Sequence, residues 1–102
     1  MMDLNISPRL TLDYDLVNCP YCGGGSLHHS VVDVFERRED EPEHTKVHVD
    51  GNNVIISRGK NGNPSIRRDG LSIFFWCETC ENHPKLNIYQ HKGSTYIQWG
   101  NK

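Results

Sequence analysis

The sequence contains no alanine, the residue that best favours a helix. No segment repeats its apolar residues every three to four positions either, and together these absences exclude a helical bundle. Apolar residues make up only 35% of the 102 positions, a count that leaves out the nine glycines. The core must be modest, and a chain this small needs most of its apolar residues inside it. No apolar run approaches the ~18 residues that span a membrane. Met1–Asn5 carries no basic region followed by an apolar stretch, which predicts no signal peptide and a cytoplasmic location. Excess positive charge is lacking too. With 11 Lys+Arg against 13 Asp+Glu the net charge is -2, so a non-specific grip on nucleic acid cannot rest on overall charge. There is no Gly-x-Gly-x-x-Gly, no P-loop and no locally supported Ser/His/Asp order, and no catalytic residue is assigned.

What is present reads as strands. Leu10, Leu12, Tyr14 and Leu16 alternate with polar residues over 9–17, the period of a strand. Residues 30–35 (Ser-Val-Val-Asp-Val-Phe) are β-branched and read as a second strand. Val47–Asp50 and Asn53–Ser57 flank Gly51-Asn52, a hairpin signal. Leu71–Trp76, Leu86–His91 and Thr95–Trp99 are three more strands, the last two joined at Lys92-Gly93-Ser94. Between these lie two loops. Residues 36–43 hold five acids and two bases and read as a solvated loop without packing. Residues 58–70, with three glycines and Pro64, read as irregular. The fold class is all-β, with six or seven strands in a single domain over 1–102.

Cys19-x-x-Cys22 and Cys77-x-x-Cys80 form the sharpest constellation. Two intervening residues let the backbone fold into a knuckle that aims both sulfurs at one point. Two knuckles then supply the four thiolates that zinc takes in a structural site. Pro20 stiffens the first knuckle, and Gly23 can adopt positive φ just after its second sulfur. In the second knuckle Glu81-Asn82 takes that place, and Asn tolerates positive φ better than most residues. Disulfides are not expected of these cysteines in a cytoplasmic protein.

Cys19-Pro20-Tyr21-Cys22-Gly23, followed by Cys77-Glu78-Thr79-Cys80 between two strands, resembles the zinc-ribbon, or rubredoxin-like, superfamily. The resemblance covers roughly 10–35 and 71–99. It implies metal-ligand roles for Cys19, Cys22, Cys77 and Cys80 and one structural zinc per chain. The chain as a whole also resembles small zinc-ribbon proteins of bacteria and their phages. One departure is the gap of 54 residues between the pairs, against roughly 15–20 in a compact site. The excess, approximately 36–70, reads as an insertion with its own β-hairpin.

An all-thiolate site is closed, whereas catalytic zinc keeps a position open, so the metal argues against an enzyme. The alternative is a redox or electron-transfer protein using an iron–thiolate site or a dithiol pair. His83 could replace a cysteine as ligand, but four sulfurs already complete the site. The six histidines are otherwise read as surface or loop residues. Two features offer a binding surface. Arg58, Lys60, Arg67 and Arg68 gather in a Gly/Asn-rich loop that could contact phosphates. Phe74, Trp76, Tyr89 and Tyr96 could share one sheet face and stack bases, unless the strands of 30–57 cover that face. The expectation is a non-catalytic binding module for a protein partner or nucleic acid, without a membrane, as a monomer or a weak dimer through an edge strand such as 95–99.

Overall fold

The computed structural model describes residues 15–100. Among them there is no helix, and none long and apolar enough to cross a membrane. Six strands form one antiparallel sheet: β1 (Leu27–Glu36), β2 (His44–Asp50), β3 (Asn53–Gly59), β4 (Gly70–Cys77), β5 (Lys85–His91) and β6 (Ser94–Gly100). Their spatial order is β3-β2-β1-β4-β5-β6. The all-β class expected from composition and period is what the chain adopts. Of the strand expected at 9–17, residues 9–14 lie outside the described residues, and 15–17 belong to no strand.

Turn chemistry sets the two tight hairpins. Gly51 takes φ 63° between Asp50 and Asn53, which face each other across β2 and β3. Lys92 and Gly93 both take positive φ (51° and 84°), the primed turn that matches the twist of the paired strands. Ser94 is already the first residue of β6. The segment expected as an insertion contributes β2 and β3, which extend the sheet from the free edge of β1. They do not fold over the C-terminal strands, so the expectation that 30–57 might cover an aromatic face is not met. From β3 the chain must return to the far side of β1 to start β4. This places β4 beside β1 and gives the order of a Greek key.

That return is made by residues 60–69, which cross the sheet at the end of β1 and settle on one face. Gly62 lies against Phe35: a Cβ there would stand 3.6 Å from the ring. At Gly70 a Cβ would meet Asn63 Oδ1 at 2.2 Å and Pro64 at 2.9 Å, so only glycine lets the loop come this close. Ser65 is buried and ties the loop down, donating from Oγ to the Gln90 carbonyl (2.7 Å) and accepting from the Arg68 amide (2.9 Å). The acidic loop is likewise not merely solvated. Arg37 donates to the carbonyls of Glu41 (2.7 Å) and Ile66 (2.8 Å), and its backbone amide to Asp69 Oδ1 (2.8 Å).

Strand pairing then sorts the side chains into two faces, one mixed polar and aromatic and the other largely aliphatic. The face under the 60–69 loop holds Asp33, Phe35, His44, Ser72 and Asn87. Phe35 is 1% exposed and packs edge-on to His44, with ring centroids 4.8 Å apart. Asp33, also buried, pairs with His48 Nδ1 at 2.6 Å and with Lys46 Nζ at 3.8 Å. Ser72 Oγ donates to Asn87 Oδ1 at 2.7 Å. The opposite face carries Val32 and Val34 of β1, Val47 and Val49 of β2, and Val54 and Ile56 of β3. Leu71, Ile73 and Phe75 of β4, Leu86 and Ile88 of β5, and Ile97 and Trp99 of β6 continue it.

The expectation that the histidines are surface or loop residues fails at His44 and His48. Residues four apart on a strand share a face, and these two point under the loop side of the sheet. Burial first, then the charges of Lys46, Arg37 and Arg58, hold the His44 pKa below its usual value. The unfolded chain takes up this proton near ~6.5, whereas the folded chain resists it to lower pH. The unfolded state therefore binds more protons below that pH. His44 contributes stability above about pH 6.5 that is lost as the pH falls toward the depressed folded value. Urea midpoints measured between about pH 7 and pH 5.5 should fall more steeply for the natural chain than for His44→Phe. Equal slopes would mean that His44 is not held neutral.

Candidate metal centre

β1 leaves the first knuckle and β4 runs into the second. Because these two strands are antiparallel neighbours, with Leu27 opposite Cys77, the knuckles meet at one end of the sheet. The Glu78 amide donates to the Ser26 carbonyl at 3.1 Å and locks the two together. This is how a gap of 54 residues is accommodated: the intervening chain is sheet that returns to its start. Lengthening a closed loop from ~17 to ~54 residues costs only about 1 kcal/mol of closure entropy.

Each knuckle is a hydrogen-bonded turn. In the first, the Gly23 amide donates to the Cys19 carbonyl (2.8 Å) and the Cys19 amide to the Gly24 carbonyl (2.8 Å). Gly23 takes φ 81°, as the sequence suggested. In the second, the Glu81 amide donates to the Cys77 carbonyl (2.8 Å). Here the residue with positive φ is Glu81 (61°) and not Asn82. A left-handed conformation costs a residue with a Cβ roughly 1–2 kcal/mol, so the second knuckle carries strain that glycine spares the first. Asn82 has another role, donating from Nδ2 to Cys80 Sγ at 3.3 Å. The amides of Tyr21 and Gly24 donate to the sulfurs of Cys19 and Cys22, both at 3.4 Å.

The four Sγ atoms of Cys19, Cys22, Cys77 and Cys80 all lie within 4.8 Å of one another. Cys19 stands 3.7 Å from Cys80, and Cys22 stands 3.7 Å from Cys77. Four sulfurs bound tetrahedrally at about 2.3 Å, the length of a Zn–S bond, stand about 3.8 Å apart. A disulfide would need about 2.05 Å. The spacing suits a tetrahedral thiolate site, and each knuckle brings both its sulfurs to 3.7 Å from a sulfur of the other. Cys77 and Cys19 are buried, Cys80 is half-buried and Cys22 is exposed. Four thiolates this close repel one another and ionise together only around a cation. The Gly24 amide draws the Cys22 thiol down, but burial and the three neighbouring sulfurs outweigh it and push it up to about 12. At Cys80 the backbone and side chain of Asn82 prevail over burial and hold the thiol at about 6. His83 is not among the clustered ligands.

The structure distributes the remaining candidate residues differently. Arg58 lies in β3 and not in the loop. It donates to Thr45 Oγ1 (3.1 Å) and stands 3.7 Å from Glu41 and 3.6 Å from Glu43. Arg67 stands 4.0 Å from Asp40, and Arg68 pairs with Glu39 at 2.7 Å. Three of the four bases thus face the acidic loop, and Lys60 lies in the crossing segment. The four aromatics do share the loop-covered face by strand parity, yet they form two groups. Tyr89 and Tyr96 stack at 5.8 Å near the β5–β6 turn. Phe74, beneath the Lys85 ammonium at 5.5 Å, and Trp76, against His28 at 5.8 Å, lie toward the metal end. The row of Ser72, Asn87 and Gln98 separates the two. His28 Nε2 also meets Glu78 Oε2 at 2.5 Å beside the second knuckle, a contact no sequence pattern announced. No family model, curated protein or solved structure matches the chain.

Proposed function

We propose that this chain is a small non-catalytic binding module whose sheet is clamped at one end by a structural zinc ion, and that it engages a protein partner in preference to nucleic acid. The observation that carries the reading is the cluster of four cysteine sulfurs at tetrahedral spacing. All four positions around the ion are filled by the chain, which leaves no place for water or substrate, so the metal acts on folding. The residues that would hold it are Cys19, Cys22, Cys77 and Cys80. Zinc favours such a sulfur set, and the amide and Asn82 donors to the sulfurs offset the charge it leaves.

The preference for protein rests on charge. Arg58, Arg67 and Arg68 each face a carboxylate of the 36–43 segment. A phosphate backbone would have to displace these partners, in a chain whose net charge is -2. Fluorescence anisotropy with labelled single- and double-stranded oligonucleotides at low salt should show no binding up to tens of micromolar protein. Salt-dependent binding that weakens in Arg67→Ala/Arg68→Ala would overturn the preference and restore the loop as a phosphate contact.

A further inference from the structure

A sheet that is apolar on one face must bury that face against something. The 60–69 loop crosses the face that holds Asp33, Phe35 and the four aromatics, and among the described residues no segment lies across the aliphatic one. Ile56 is 70% exposed, Val54 60% and Ile97 52%, at the two flanks of that face. A shallow groove of about 340 Å³ lies at its polar end, lined by Val34, Leu71 and Ile88 together with Glu36, Gln90 and Thr95. We propose that this face docks on the same face of a second copy of the chain, sheet on sheet, to form a twofold-symmetric β-sandwich.

Three observations favour a second copy as the occupant. First, the face is uniformly aliphatic across its centre and so matches itself; twofold packing needs no complementary charge from a different protein. Second, its polar residues stand at its two ends: Glu36 of β1, Thr45 of β2 and Arg58 of β3 in one row away from the metal, and His29 of β1 opposite Phe75 at the metal end. An apolar centre with a polar margin is the anatomy of a protein interface. Third, the size is sufficient. Six strands ~4.8 Å apart, with two full apolar rows and Phe75 beyond them at ~6.7 Å per row on one face, give a footprint of roughly 27 by 17 Å. With side-chain relief, two copies bury on the order of 1,200 Å² in total, above the ~1,000 Å² that a specific interface needs. Packing two such sheets ~10 Å apart is the ordinary geometry of a sandwich.

The inference rests on the reading of the chain as a protein-binding module, and the two fail separately: oligonucleotide binding tests that reading, oligomeric mass tests this one. The test is the mass of the full metal-loaded chain by light scattering or sedimentation at tens of micromolar. The natural chain should run at twice its 11.7 kDa. Ile56→Lys/Ile97→Lys should run as a monomer with an unchanged β-type circular dichroism spectrum, its dissociation constant raised by about 100-fold or more by the buried charges. Ile55→Lys places the same charge one residue away on the other face and should stay dimeric; Ile55 is itself 57% exposed, so the fold tolerates it. A natural chain that is monomeric overturns the proposal, and dimerisation only after removal of residues 3–14 would show that this segment holds the face instead. Equal loss of the dimer in Ile55→Lys and in Ile56→Lys/Ile97→Lys also overturns it, because that pattern belongs to pairing of an outer strand edge.

Discussion

Replacing Cys22 by Ser should damage the protein as severely as replacing Cys77, although the two side chains sit in opposite environments. Cys77 is fully buried at the end of β4, whereas Cys22 is exposed. If packing were all that mattered, Cys77→Ser would cost a few kcal/mol and Cys22→Ser almost nothing. If both sulfurs hold one ion, loss of either leaves three ligands. Structural zinc in small domains supplies on the order of 10 kcal/mol or more of folding free energy. Much of that is forfeited with a missing ligand, and about 3 kcal/mol already lowers the melting temperature of a domain this size by roughly 12–24 °C. Both variants should therefore lose bound metal and melt at least ~15 °C lower, or fail to fold at 25 °C. A Cys22→Ser protein that keeps the natural melting temperature would show that the cluster does not clamp the sheet.

Phe35→Ala should lower stability by about 3–5 kcal/mol while the metal stays bound under conditions where the chain is folded. The ring lies at the opposite end of β1 from the knuckles. It supports the turn at Gly62, packs on the edge of His44, and lies under the Lys46 ammonium at 5.6 Å. Among the described residues Phe35 is the largest fully buried side chain, so the vacated space has little else to close it. The segment 60–69 would lose the surface it crosses. Urea denaturation of the zinc-loaded protein measures the loss, and limited proteolysis should show earlier cutting within 60–69. A loss below about 1 kcal/mol would mean that the crossing segment does not depend on Phe35.

The legibility of this chain divides between what neighbours in sequence decide and what distant residues decide. Val-Val-Asp-Val-Phe, the Asp50-Gly51-Asn52 turn and the Lys92-Gly93 turn announce strands and hairpins because period and positive φ are local properties. The cluster of Cys19, Cys22, Cys77 and Cys80 was legible for the same reason, since each knuckle is a local turn. Strand order was not, because the pairing of β1 with β4 joins residues far apart in the chain. Without it the region 36–70 reads as an insertion, when its hairpin is an extension of the sheet. The face that is covered was also hidden: it depends on where 60–69 crosses, and that depends on the close approach allowed at Gly62 and Gly70. Alternation alone places Val32, Ile73 and Ile56 on one side of their strands but not on one common face. The positive φ at Glu81 ran against propensity, because closure of the second knuckle outweighs the strain at one residue. His44 looked like a surface residue for want of any local sign that Phe35 would pack against it.

In the proposed module one ion joins the two cysteine knuckles and holds the sheet. Native mass spectrometry of the full chain, expressed and purified without added metal, tests it most directly. The expected mass is that of the polypeptide plus one zinc ion per chain, the ion replacing two protons at the same charge state. A folded chain whose mass is that of the polypeptide alone, with all four thiols protonated, would contradict it.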